Sequence, residues 1–191
     1  LRRGLHVRTE AMAGTRALGP GRDPAELERE LLASEKDRAE HEWVRRGVVE
    51  ALAPCCASLH ADERPRVRRL RHVVHLVTGI EGQLAGELPL LELARRMHPT
   101  PAVGGYPREA ALRWLRRHET TPRGWFAGPV GWFDLEGRGE LRVALRSGVI
   151  RGSRLHAFAG AGIVPGSVPR SEGSEILAKL RPLLRAAGCD T

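Results

Sequence analysis

The chain has 191 residues, 41% hydrophobic and 28% charged, enough apolar material for one good core and unlike a disordered or collagen-like polymer. No apolar run approaches the roughly 18 to 20 residues of a bilayer span and no signal-peptide pattern opens the chain, so a soluble cytoplasmic protein with no membrane partner is expected. A formal charge of +8 admits a nucleic-acid partner, but only 4% of residues are aromatic and none interleaves with the densest basic run, Arg64 to Arg71. A solvated arginine surface or a small anionic substrate is the better expectation.

The opening segment, Leu5 to Thr15, alternates as a strand inside a sheet does, and its abrupt start reads as a chain cut from something longer. Asp23, Pro24 and Glu26 then supply an N-cap carboxylate, a proline at the first helical position and an early acid. That pattern predicts one long helix to about Cys56, bent or ended near Pro54. Further helices are predicted in part of Pro65 to Ile80, and over Pro89 to His98, Pro107 to His118 and Ser171 to Ala187. Between the last two lies a β region. Trp125 to Asp134 reads as a strand, and Glu140 to Ser147 alternates with Leu141, Val143 and Leu145 on one face and Arg142, Ala144 and Arg146 on the other. Leu155 to Gly162 reads as the return strand of a hairpin, with Glu136-Gly-Arg-Gly and Arg151-Gly-Ser as turns. Helices, then antiparallel strands, then a closing helix predict an α+β architecture.

Cys55 and Cys56 are adjacent, and Cys189 stands alone near the end. No CxxC spacing accompanies them, so neither a disulfide framework nor a metal site is expected. Of 31 basic residues only Lys36 and Lys179 are lysines. In so arginine-biased a chain, a lysine can mark a place that needs a compact ammonium.

Three segments could carry chemistry. In the long helix, Leu32, Lys36, Glu40, Val44, Val48 and Leu52 recur every four residues, which puts Glu40 on or beside the core stripe, flanked by Asp37 and His41. A carboxylate there calls for a metal ion or a cationic side chain opposite it, the alternative being a solvated face laced with i,i+4 pairs. Glu172, Glu175 and Lys179 share one face of the last helix, where acids also suit the helix dipole. One Mg²⁺, usually held by one or two carboxylates with waters and substrate oxygens, would be served by Glu40 and Glu175 if the fold brought them together. Ala159-Gly-Ala-Gly-Ile163 lets backbone N–H groups approach an anion, and Arg146 could clamp a carboxylate in a bidentate pair. His75, in Val-Val-His-Leu, reads more readily as a satisfied core histidine than as a functional one.

Taken in order, Thr9-Glu-Ala-Met-Ala-Gly-Thr15, Leu32-Ala-Ser-Glu-Lys-Asp-Arg-Ala-Glu-His41, Val74-His-Leu76, His98-Pro-Thr-Pro-Ala-Val-Gly-Gly105, Arg123-Gly-Trp-Phe-Ala-Gly-Pro-Val-Gly-Trp132, Ala144-Leu-Arg-Ser147 and Ala159-Gly-Ala-Gly-Ile-Val164 resemble the chorismate-binding domain shared by isochorismate, salicylate, anthranilate and aminodeoxychorismate synthases. The resemblance covers essentially the whole chain. It implies an antiparallel sheet flanked by helices, of the anthranilate synthase component I type, with residues 1–191 forming the C-terminal part of one domain that is incomplete on its N-terminal side. Ala102 stands where the amine-forming and salicylate-forming members carry threonine, which tips the resemblance toward isochorismate synthases of menaquinone or catecholate siderophore synthesis.

Carried over residue by residue, the resemblance implies that Glu40 and Glu175 bind Mg²⁺, supported by Asp37 and Glu172. Arg146, Lys179 and the backbone of Gly160, Ala161 and Gly162 engage the carboxylates of chorismate. His75 sits beside the ring, Phe126 packs nearby, and Gly14, Thr15 and Ala102 line the pocket. The reaction implied adds water at one ring carbon while hydroxide leaves from another, which needs a general base and a general acid. In the family these are a lysine and a glutamate that precede the Ala-Gly-Thr motif, so no catalytic proton-transfer residue is expected in this chain and, by itself, little turnover. The full-length protein is expected to be a monomer with no nucleic-acid partner. Gly173-Ser174 departs from the family, which often has tryptophan after the first glutamate. The rival from another class is a non-catalytic anion-binding or nucleic-acid-binding module.

Overall fold

Two long strands organise the molecule, and helices pack on one face of the sheet they build. The computed structural model describes residues 1–19, 21–71 and 73–189. Its elements are β1 (Arg2–Arg3), β2 (His6–Ala17), α1 (Pro24–Ala33), α2 (Glu35–Leu52), β3 (Cys56–Ala61), β4 (Arg66–Arg69), β5 (Val73–Leu84), α3 (Leu90–Met97), α4 (Pro101–Gly104), α5 (Arg108–His118), β6 (Pro129–Phe133), β7 (Gly139–Val143), β8 (Ser147–Arg151), β9 (Arg154–Phe158) and α6 (Pro169–Ala186). The main sheet is antiparallel in the order β3-β5-β2-β1-β7-β6, with β4 also pairing with β5; β8 and β9 form a separate hairpin. This is the α+β architecture expected. No helix among the described residues is long and apolar enough to cross a membrane.

The core lies between this sheet and the first two helices. Leu27 and Leu31 of α1 cover Val74 and Leu76 of β5. Val44, Val48 and Leu52 of α2 cover Val7, Ala11 and Ala13 of β2 and Ile80 and Leu84 of β5. Val73, Val74, Leu76, Val77 and Thr78 are all buried, so the start of β5 is covered on both faces.

That double burial corrects the helix predicted within Pro65 to Ile80, a range in which residue 72 lies outside the described residues. A strand covered on both sides loses its polar-apolar alternation, and its β-branched content is what remains as signal. The basic run becomes the short strand β4, two of whose three arginines are paired. Arg68 makes a bidentate contact with Glu10, both bonds 2.6 Å, and Arg69 pairs with Glu28.

A second correction concerns the long helix. Ser34 adopts an extended conformation (ψ 114°) that ends α1 and starts α2, its Oγ accepting from the Asp37 N–H at 3.2 Å. The predicted stripe is therefore broken between Leu32 and Lys36, and Leu32 is exposed. Within α2 the inward residues are Asp37, His41, Val44, Val48 and Leu52, with Glu40 half-buried at their edge.

The later strands are shorter than predicted, and β3 was not anticipated. Trp125 to Asp134 reduces to β6, and Leu155 to Gly162 to β9. The alternating run from Glu140 stops at Val143, because Arg146 turns the chain with φ 52° into β8.

Candidate active site

Between the sheet, α2 and the later part of the chain lies a cavity of about 940 Å³, whose wall includes Thr15, Glu40, His75, Ala102, Phe126, Arg146, Gly160, Ala161, Gly162 and Lys179. Residues from both ends of the sequence meet here because β2 and β5 pair along their whole length, while α6 returns to pack on β2 and β9.

At the floor, the pairing of β2 with β5 skips a residue at Gly14, so that Ala13 faces Leu76 and Thr15 faces His75. Gly14 has φ 73°, and a Cβ there would stand 3.2 Å from the Asp37 Cβ. It therefore lies behind the cavity wall, against α2, rather than lining the space. Thr15 Oγ1 lies 2.9 Å from His75 Nδ1, and Arg146 Nη2 lies 3.1 Å from His75 Nε2. Burial first, and the Arg146 charge second, lower the His75 pKa to about 4. Arg146 holds this position from a left-handed backbone conformation, one that non-glycine residues adopt at a cost and that is found at sites where geometry is enforced.

The acids gather where α2 meets α6. Burial, followed by repulsion from Glu175, raises the pKa of Glu40 to about 7, against the opposing pull of Lys179 and Lys36. Lys179 Nζ bonds Glu175 Oε1 at 2.6 Å and donates to the Gly160 carbonyl at 3.1 Å. Lys36 pairs with the buried Glu172; burial opposes its charge, but the bond to Glu172 raises its pKa. Asp37 is buried and forms an ion pair with Arg16 at 2.6 Å. So Asp37, Glu172 and Glu175 are each held by a cation, while Glu40 has no ion-pair partner among the described residues and is repelled by Glu175 beside the cavity. A Cβ on Gly162 would collide with the Glu40 carboxylate, so that glycine leaves the acid its space.

Among the described residues no three His, Cys, Asp or Glu side chains converge to hold a metal by themselves. Two facing carboxylates, one of them driven toward its neutral form, nevertheless suit a hard divalent ion that takes its remaining ligands from water and from an anionic ligand. Glu40 and Glu175 are the residues that could hold it.

The opposite wall positions the apolar contacts. Phe126 stacks on Phe158 with ring centroids 5.7 Å apart. Arg123 donates to the Val103 carbonyl at 2.6 Å and so pins the turn that carries Ala102. Arg16, Phe158 and Arg123 were not singled out from the sequence. All three stand inside or directly beside a motif that could have pointed to them.

A family model described as a chorismate binding enzyme matches residues 1–188. The chain is 45% identical over 179 residues to the salicylate biosynthesis isochorismate synthase of Pseudomonas aeruginosa, covering 93% of this chain and 38% of that protein. It is 39% identical over 188 residues to the isochorismate synthase MenF of Bacillus subtilis, covering 98% of this chain and 40% of that one. Among solved structures, a putative 2,3-dihydroxybenzoate-specific isochorismate synthase, DhbC, from Bacillus anthracis superposes with a TM-score of 0.92 at 38% identity, over 99% of this chain and 51% of that one. Anthranilate synthase component I from Streptococcus pneumoniae superposes at 0.81 with 27% identity, over 94% of this chain and 40% of that one. The chain belongs to the chorismate-binding enzyme family, and spans about half or less of the length of these relatives.

Proposed function

We propose that this chain supplies the metal-binding and carboxylate-binding portion of an isochorismate synthase, which converts chorismate to isochorismate with Mg²⁺. One observation carries the reading. Two carboxylates from distant helices, Glu40 and Glu175, come within electrostatic reach of one another beside a cavity whose wall also carries the cations Arg146 and Lys179. A dianionic ring of chorismate's size needs a cation between it and any acid, and a guanidinium on its other side.

When bound, Mg²⁺ supplies the positive charge that lets a substrate carboxylate approach Glu40 and Glu175. Behind those acids, Asp37 and Glu172 are neutralised by Arg16 and Lys36, and Lys36 also draws on Glu40. Arg146 and Lys179 bind the substrate's carboxylates, and Phe126 packs against its apolar surface. The reaction moves a proton from attacking water to a base and another from an acid to the departing hydroxyl. Lys179 and His75 are engaged with neighbours and Glu40 is committed to the metal, and we assign proton transfer to none of them.

Calorimetric titration of this chain with chorismate tests the proposal. Binding is expected with Mg²⁺ present and is expected to be lost on chelation. Equal binding with and without Mg²⁺, or none under either condition, would overturn it.

A further inference from the structure

Both ring nitrogens of His75 are engaged, and the chemistry of the partners assigns each hydrogen. Arg146 has only N–H donors, so His75 Nε2, 3.1 Å from Nη2, must offer a lone pair. The ring's hydrogen is then on Nδ1, 2.9 Å from Thr15 Oγ1. With Thr15 Oγ1 accepting from Nδ1–H, the threonine hydrogen is left free to donate. Both Thr15 and Arg146 line the cavity, and Arg146 pairs with no carboxylate among the described residues.

We infer that His75 is a positioning residue: as the Nδ1–H tautomer it fixes Arg146 through Nε2 and polarises Thr15 through Nδ1, so that the guanidinium and the hydroxyl donate together to one carboxylate of the ligand. This rests on the reading that the cavity takes chorismate, and it removes His75 from the groups that could exchange a proton with it. The low pKa of the buried ring is consistent with a histidine kept neutral throughout the working range. The strained backbone of Arg146 has a purpose in the same arrangement, because a residue left in the extended conformation of β7 would not carry its side chain to the floor of β5.

The ring can be read without any ligand. In the ¹⁵N-histidine-labelled chain at pH 7, multiple-bond NMR is expected to show a neutral His75 with a protonated Nδ1 and an unprotonated Nε2, assigned by the signal's absence in His75→Gln. An Nε2–H tautomer or an imidazolium overturns the inference. Chorismate titrations with Mg²⁺ give the second arm. Thr15→Val is expected to weaken binding about tenfold, the size of one hydrogen bond to a charged group. His75→Leu should weaken it at least as much, while His75→Gln, whose Oε1 keeps an acceptor near the Nε2 position, should stay within about threefold of wild type. Two folded variants, Gln and Leu, that lose affinity equally would also overturn it. If the wild-type chain takes no chorismate, the substrate reading falls, whereas the NMR result still decides the role of His75.

Discussion

The two halves of the cavity wall rest on very different foundations. Thr15, His75 and Glu40 stand on β2, β5 and α2, where Leu76, Leu52 and Ile80 are fully buried and two helices cover the sheet. Arg146 and Gly160 to Gly162 belong to the β6–β9 region, where every residue of β6 is exposed and Trp132, Phe133 and Ile150 are 56%, 56% and 73% accessible. The part of the wall on β2, β5 and α2 therefore has its own core, while Arg146 and the Gly160 to Gly162 backbone are carried by strands with little beneath them. An apolar surface of that kind is where further protein mass is normally found, and the relatives matched are about twice as long.

Four experiments break or sharpen this contrast. The largest effect is expected from Leu76→Ala, which empties a fully buried position and should cost about 2–5 kcal/mol in chemical denaturation. A loss as small as that of a β6 surface variant would erase the distinction between the regions. Next, Glu40→Gln removes one of the two facing carboxylates and should weaken Mg²⁺-dependent chorismate binding by at least about 100-fold, with the melting temperature unchanged or raised, since the like-charge repulsion goes with it. Unaltered Mg²⁺ dependence in this variant would count against the metal assignment.

A pH series comes third. His75 titrates near 4 in the folded chain and near 6.5 when unfolded, so the unfolded chain binds more protons between those values. Stability from this group is fully present above about pH 6.5 and falls as pH drops toward 4, by about 3 kcal/mol in all. Subtracting the curve of His75→Gln from that of the wild type should isolate the slope; identical curves would show the ring is not buried as described. The smallest effect is expected from Trp132→Thr, within about 0.5 kcal/mol of wild type in the same denaturation assay. A large loss there would mean that β6 has a core contact the structure does not show.

What could be read from the sequence followed the strength of local signals. Both hairpin turns and the closing helix were legible because glycine placement and a 3.6-residue period mark them. The two lysines proved informative: each of them holds one acid of α6, Lys36 on Glu172 and Lys179 on Glu175. The division of the long helix was missed although Ser34 and Asp37 stand at capping distance, because helix-forming residues on both sides carry the period through the break. β5 was misread because its period is erased by burial on two faces. Arg146 was placed on a strand, since nothing in Ala-Leu-Arg-Ser announces a left-handed residue. That Glu40 and Glu175 meet could be stated only through the family resemblance, as no local pattern encodes a contact between residues so far apart.

The skipped residue at Gly14 has a consequence for how this strand can change. Upstream of it, odd-numbered side chains such as Ala11 and Ala13 pack inward on the helices; downstream, Thr15 points the other way, into the ligand space. One supernumerary residue thus inverts the parity of the strand midway, letting a single ribbon serve hydrophobic packing and ligand contact in succession. Excising Gly14 would restore uniform alternation and swing the Thr15 hydroxyl into the layer of α2, however conservative the loss of a glycine looks on paper.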